Sequence, residues 1–159
     1  MKNIKGCLLH NSDDWQTPKS IYDPLMELGF IDCFPFKADY DELKNNYNKQ
    51  KLFINPPFSK MTQIVDWLLE QIQRYNEILI LIPSRTDTKY FHKLIRQSTH
   101  FAKIYFIEGR LHFNESNTAA PFPTMLLHYS RKPSWSLGLP FYYCVNENEF
   151  IEMMKRLYE

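Results

Sequence analysis

The sequence predicts an α/β fold on a mainly parallel sheet, and three observations predict it. Ile78-Leu79-Ile80-Leu81-Ile82 is a run of five aliphatic residues, which means burial on both faces, as in a central parallel strand. Just before it, Met61, Ile64, Val65, Leu68, Leu69 and Ile72 keep the i, i+3, i+4 spacing of a helix packed on a sheet. Short apolar runs and helical patterns alternate along the rest of the chain, as strands joined by crossover helices do.

Taken in order, the first helix signal is Thr17-Pro18, with proline at a first-turn position. Ile21, Tyr22, Leu25, Met26 and Leu28 then fall on one stripe, and Gly29 stands where a helix C-cap belongs. Phe30-Ile31-Asp32-Cys33-Phe34 reads as a short buried strand ended by Pro35. A polar stretch through Asn45, Asn46 and Asn48 leads to a second strand, Lys51-Leu52-Phe53-Ile54, and the helix from Met61 follows. Pro83 closes the aliphatic strand. A helix over about 88–97 comes next, with Phe91, Leu94 and Ile95 as its apolar face, then strands at 103–107 and 124–129. Arg131 to Pro140 is a Pro/Ser/Gly-rich surface segment, Phe141 to Val145 an edge strand, and Glu147 to Tyr158 a closing helix with Phe150, Met153, Met154 and Leu157 inward.

A length of 159 residues is that of one domain, residues 1–159, able to bury a sizeable core. Apolar content of 44% places it among globular chains rather than disordered ones. A formal charge of +1 supplies no global attraction to nucleic acid, so any such binding must come from a local patch. Cys7, Cys33 and Cys144 form no C-x-x-C pair and support neither a disulfide framework nor a zinc site. The histidines show no metal-ligand spacing, and no metal is expected. No apolar run is long enough to span a bilayer and no signal-peptide core is visible, so the expected location is cytoplasmic.

Asn55-Pro56-Pro57-Phe58 is the most chemical motif. It lies between a buried strand and an amphipathic helix, where open α/β sheets place ligands. The Asn amide oxygen and the Pro56 carbonyl are two acceptors for one planar amine, and Pro57 contributes no N–H to continue a helix or a ladder. Phe58 offers a face for a flipped base. Asn-Pro-Pro is also an ordinary loop punctuator, so its strand-before, helix-after context carries the weight.

Three further constellations stand out. Asp14-Trp15-Gln16-Thr17-Pro18 is a helix entry whose tryptophan can cover a ligand and whose free N–H groups can meet a carboxylate; Thr17 is equally a plain cap. Asp32, set among apolar residues at a strand end, needs a partner for its carboxylate, and Asp39 and Asp41 follow in a polar loop. Between Arg85 and Arg110 there are six Lys/Arg against two Asp/Glu. Lys89, Lys93 and Arg96 share one helix face there, a phosphate-binding stripe or an ordinary solvated surface. Gly109-Arg110-Leu111-His112-Phe113 and Pro121-Phe122-Pro123 form two aromatic loops, with Arg110 able to meet phosphate.

In this order the pieces resemble the phage and prophage DNA N6-adenine methyltransferase (Dam) family. The matching segments are Trp15-Gln16-Thr17-Pro18, Ile31-Asp32-Cys33, Asp41-Glu42-Leu43, Asn55-Pro56-Pro57-Phe58, Ile82-Pro83-Ser84-Arg85-Thr86-Asp87-Thr88, Gly109-Arg110-Leu111-His112-Phe113 and Pro121-Phe122-Pro123-Thr124, over about residues 13 to 129. The resemblance implies a minimal Rossmann-like methyltransferase fold, S-adenosylmethionine as cofactor and the adenine amine of DNA as acceptor. It implies catalytic roles for Asn55, Pro56, Pro57 and Phe58. Cofactor contacts would fall to Trp15, Thr17, Pro18, Asp32 and Asp41, the last near the donor's adenine; the basic residues Arg85, Lys89, Lys93, Arg96 and Arg110, picked out by their local charge, are the expected DNA contacts. Two departures stand against the family pattern. Phe34-Pro35-Phe36 replaces the glycine-rich cofactor loop, and only eight residues separate Asp32 from Asp41, too few for a βα unit.

The same acceptor geometry serves cytosine N4, RNA or a glutamine amide, and a relic that binds DNA without catalysis is the rival from another class. A homodimer is compatible with the sequence. The target site is not written in it.

Overall fold

A computed structural model describes residues 15–35, 37–48, 50–97, 102–131 and 142–159. Cys7, Asp14, Phe36 and the segment 132–141 lie outside the described residues. The helices are α1 (Lys19–Glu27), α2 (Met61–Gln71), α3 (Lys89–Gln97) and α4 (Glu147–Arg156), and the strands β1 (Ile31–Asp32), β2 (Lys51–Ile54), β3 (Glu77–Pro83), β4 (Ala102–Ile107), β5 (Thr124–Ser130) and β6 (Tyr142–Val145). One six-stranded sheet has the order β1-β2-β3-β5-β4-β6.

The alternation along β3 explains its unbroken aliphatic run. Ile78, Ile80 and Ile82 pack with Ile64, Val65, Leu68 and Leu94 on the side of α2 and α3. Leu79 and Leu81 pack with Ile21, Leu25, Phe150 and Met154 on the side of α1 and α4. Every residue of β3 is buried, as two covered faces require.

The expectation of a mainly parallel sheet is corrected: the sheet is mixed. β1 with β2, β2 with β3, and β4 with β6 are parallel, whereas β5 runs antiparallel to both its neighbours, β3 and β4. The apolar run 124–129 gives no sign of direction, because a strand covered on both faces reads the same either way. Its direction follows from connection: the long loop after β4 returns the chain into the sheet at the same edge where β4 ends.

Other elements match the sequence with local differences. Gly29 takes a φ of +87° after α1, the left-handed conformation of a helix C-cap. β1 covers two residues rather than five, because the Asp32 carboxylate accepts the Phe34 N–H at 3.0 Å and turns the chain. On α3 the inner face is Tyr90, Phe91 and Leu94, while Ile95 is 39% exposed; a residue one position past Leu94 lies about 100° around the helix. α4 opens with a capping box, Asn146 and Glu149 each accepting the other's backbone N–H at 3.0 and 2.8 Å.

At the amino ends of the parallel strands, buried polar groups secure the last helix. Glu77 lies 3.5 Å from His128 and accepts the Tyr158 hydroxyl. Lys51 donates to the Leu28 carbonyl at 3.0 Å and sits 3.5 Å from the Tyr158 ring centroid. No helix among the described residues is long and apolar enough to cross a membrane.

Because Ile80 is fully buried at the middle of β3, Ile80→Ala should lower unfolding free energy by about 2–5 kcal/mol. Urea denaturation followed by circular dichroism measures it, and a midpoint equal to that of the unaltered protein would contradict the packing described.

Candidate active site

β1, β2 and β3 end along one edge of the sheet, and the chain leaves that edge through three loops. Asp32 closes β1, Asn55-Pro56-Pro57 follows β2, and Ser84-Arg85 follows β3. β5 enters from the same side, so Pro121-Phe122-Pro123 joins them, and the Ser84 N–H donates to the Pro123 carbonyl at 2.9 Å. The antiparallel strand thus carries the second aromatic loop to the Asn-Pro-Pro loop.

A cleft of about 590 Å³ opens at this edge, lined by Trp15, Thr17, Asp32, Phe34, Asn55 and Pro57 among others. Its floor is Asn55. The Asn55 Nδ2 donates to the Trp15 carbonyl and to Thr17 Oγ1, the latter at 3.0 Å. Asn55 Oδ1 is buried and has no hydrogen-bond partner among the described residues. A carbonyl oxygen only accepts, so the group facing Trp15 must be the NH2, and the free atom must be the acceptor oxygen. A buried acceptor without a partner costs on the order of 1–3 kcal/mol, which makes this atom the least satisfied point of the cleft. Pro56 is buried, and its carbonyl accepts no hydrogen bond among the described residues.

The aromatic rings form a wall beside these acceptors. Phe58 meets Phe122 edge-to-face at 5.4 Å, and Trp15 meets Phe122 at 5.1 Å and Phe113 at 5.6 Å. Phe58 is half-buried, so part of its ring remains available.

Asp32 sits in the cleft with no cation paired to it among the described residues. Burial pushes its carboxyl up from 3.8 to about 6, opposed only by the Phe34 N–H. Tyr22 and Tyr40 stand close enough for that charge to raise their own hydroxyl pKa values, with burial the larger cause in both. After β1 no helix intervenes among the described residues before β2. The Tyr47 hydroxyl fastens the connection instead, 2.8 Å from the Cys33 carbonyl and 2.9 Å from that of Glu42. Lys37 within it adopts a φ of +57°, the left-handed turn that a glycine loop would supply without strain.

The cleft gathers Trp15, Thr17, Asp32, Asn55 and Pro57 as the sequence predicts, and leaves others out. Pro18 is buried under the start of α1, where its carbonyl accepts the N–H groups of Ile21 and Tyr22. Asp41 is exposed: it accepts the Leu43 N–H and pairs with Lys44 at 2.9 Å, which holds its carboxyl below the usual range. Glu42, its neighbour, lines the cleft instead. Lys89, Lys93 and Arg96 do surround one surface depression on α3, but Lys93 is paired with Asp66 of α2. Arg85 is exposed beside the edge. The Arg110 guanidinium donates to the Ala120 carbonyl at 3.3 Å and ties its own loop. Sequence reasoning missed Asn114, whose side chain accepts the Gln16 N–H at 2.6 Å while its own N–H donates to the Gln16 carbonyl at 2.9 Å. Its φ of +58° is a conformation asparagine tolerates better than most residues, a hint visible only once the turn is known.

A cleft at the carboxyl ends of parallel strands, with an acid at the end of one strand and an acceptor loop after the next, lies where α/β sheets place ligands. The sequence profile of the DNA N-6-adenine-methyltransferase (Dam) family matches residues 7–125, and the chain belongs to that family. Membership indicates a methyltransferase fold and an enzyme that acts on the adenine amine of DNA. Neither the curated proteins nor the solved structures contain a match to the chain.

The raised carboxyl of Asp32 has a signed consequence for stability. Its pKa goes from 3.8 unfolded to about 6 folded, so the folded state favours the neutral form. The associated stability is complete below about pH 4 and is lost as pH rises through about 6. Asp32→Asn should therefore raise stability at pH 8 by on the order of 2 kcal/mol and change it little at pH 4. Matched denaturation curves at the two pH values test this; equal gains at both would place the effect outside ionisation.

Proposed function

We propose that this protein transfers a methyl group from S-adenosylmethionine to the N6 amine of adenine in DNA, in the cleft between Asp32 and Asn55. The observation that carries the proposal is the buried, unpartnered Asn55 Oδ1, in an amide whose nitrogen is already engaged. An exocyclic amine is a poor nucleophile because its lone pair is conjugated with the ring. Asn55 Oδ1 and the Pro56 carbonyl accept its two hydrogens, draw the nitrogen toward tetrahedral geometry and stabilise the charge that develops on it. Phe58, backed by Phe122, stacks the base once it has left the duplex. Pro57 keeps the loop from continuing as helix or ladder.

The donor side fits the cleft. Asp32 is an ionisable carboxylate without a cation among the described residues, and a ligand's amine or hydroxyl groups would satisfy it. Trp15, Thr17, Phe34 and Pro35 complete the lining. Bound S-adenosylmethionine supplies an electrophilic methyl group on a sulfonium centre. Asp32 holds that cofactor best in its ionised form, so affinity rises with pH through about 6. DNA is guided by Arg85 at the active edge and by Lys89 and Arg96 on α3, with Lys93 and Arg110 contributing less because each already has a partner.

Asn55→Ala should reduce methyl transfer about 100- to 1000-fold, the usual cost of one positioned transition-state group. Calorimetric affinity for S-adenosylmethionine should be unchanged in the same variant. Radiolabelled methyl incorporation into unmethylated DNA gives the rate; activity within a few-fold of the unaltered protein would remove Asn55 from the mechanism.

Replacing Arg85, Lys89 and Arg96 together by Gln should weaken DNA binding about equally for all sequences. Each lost phosphate contact should also take nearly one unit from the slope of log affinity against log salt. Fluorescence anisotropy across a salt series measures that slope, and an unaltered value would assign these cations to solvated surface.

A further inference from the structure

Asn55 acts as the acceptor of the amine only if its amide presents oxygen, not nitrogen, to the cleft, and three residues before α1 enforce that choice. One amide hydrogen is held by the Trp15 carbonyl, which cannot donate, and the other by Thr17 Oγ1 at 3.0 Å. With both hydrogens engaged, the amide plane has no freedom to turn. Thr17 is 7% exposed, so water does not readily substitute for its hydroxyl. The Trp15–Thr17 strap is itself held from the other side of the edge. Asn114 clasps Gln16 through two hydrogen bonds, 2.6 and 2.9 Å, and the Trp15 ring packs edgewise on Phe113 and Phe122. The loop from Gly109 to Pro123 therefore reaches the Asn55 amide through the strap.

We infer that Thr17 and Asn114 are positioning residues for methyl transfer: Asn114 pins the Trp15–Thr17 strap, and Thr17 with the Trp15 carbonyl fixes the Asn55 amide with its oxygen toward the acceptor amine. The inference rests on the reading of Asn55 as that acceptor, and it moves Thr17 from holding the cofactor to orienting the amide. It also makes Asn114, exposed and outside the cleft lining, a residue that affects rate without touching substrate.

The test uses the full chain, S-adenosylmethionine and unmethylated bacterial genomic DNA. Thr17→Val removes the hydroxyl at nearly constant volume, and Thr17→Ser retains it. Asn114→Gly keeps the left-handed turn and deletes the acceptor for Gln16. Thr17→Val should lower kcat roughly 10- to 100-fold, the scale of a small misplacement of a reacting group. KM for DNA and calorimetric Kd for the cofactor should stay within about threefold, as expected when only the transition state is affected. Thr17→Ser should restore most of the rate, and Asn114→Gly should lower kcat in the same direction. In protein carrying 15N-labelled asparagine, the Asn55 side-chain NH2 signal, identified by its loss in Asn55→Ala, should exchange with solvent faster in Thr17→Val.

A Thr17→Val variant with unchanged kcat and weakened cofactor binding would overturn the inference and return Thr17 to the cofactor. So would a Thr17→Ser variant as slow as Thr17→Val, which would make the effect one of packing. Full activity in Asn55→Ala is a different failure, because it removes the acceptor reading itself whatever the Thr17 variants do.

Discussion

Both N–H groups of Asn55 are held by the segment ahead of α1, one by a carbonyl that can only accept and the other by a nearly buried hydroxyl. That pair of bonds leaves an acceptor oxygen buried without a partner among the described residues, and the rest of the edge is arranged around it. β2 and β3 bring the loop to the carboxyl edge, and β5 carries Phe122 to Phe58. The loop after β4 clasps the strap that grips the amide. The two edges of the sheet differ in kind. At the amino edge Glu77 accepts the Tyr158 hydroxyl, His128 lies 3.5 Å from Glu77 and Lys51 sits over the Tyr158 ring, contacts that anchor the chain just after α4. At the carboxyl edge Asp32 and Asn55 remain incompletely satisfied, which is where a stable protein departs from full polar satisfaction for the sake of a ligand.

The layered architecture was legible because burial on two faces leaves a plain mark: the aliphatic run of β3 and the striped helix α2 need no partner to be read. Strand direction was not legible. Residues 124–130 read as apolar in either orientation, and only the path of the preceding loop decides that β5 runs against β3 and β4. At the site, Asn55 and Asp32 could be picked out because each is a polar residue at the end of an apolar run. Asp41 lies outside the cleft lining, and sequence could not show this because an aspartate that closes its own turn with Leu43 and pairs with Lys44 looks, in sequence, like one that awaits a ligand. Asn114 was invisible because its importance lies in a contact with Gln16, 98 residues away.

The link between β1 and β2 shows how a short connection can replace a longer one. It contains no helix among the described residues, so it cannot present a helix N-terminus to a ligand as a βα unit does. A hydroxyl shared between two carbonyls and a lysine in left-handed conformation do the folding work there. The edge so made is lined by Phe34 and Pro35. Such a wall offers shape and the Asp32 carboxylate rather than a cradle of backbone N–H groups.

The place of β5 between β3 and β4 sets an order on synthesis. As the chain leaves the ribosome, β1, β2 and β3 can pair with one another, but the outer edge of β3 must wait for residues 124–130. β4 is made earlier than both of its neighbours, β5 and β6, and has no strand to join when it emerges. The most aliphatic segment of the protein therefore presents an open ladder through the translation of some forty further residues. A nascent chain in that state is a natural client for a chaperone. β5 then joins β3 to β4 and brings the second aromatic loop to the cleft, so the gap in the sheet and one wall of the cleft close together, before β6 is added at the far side of β4.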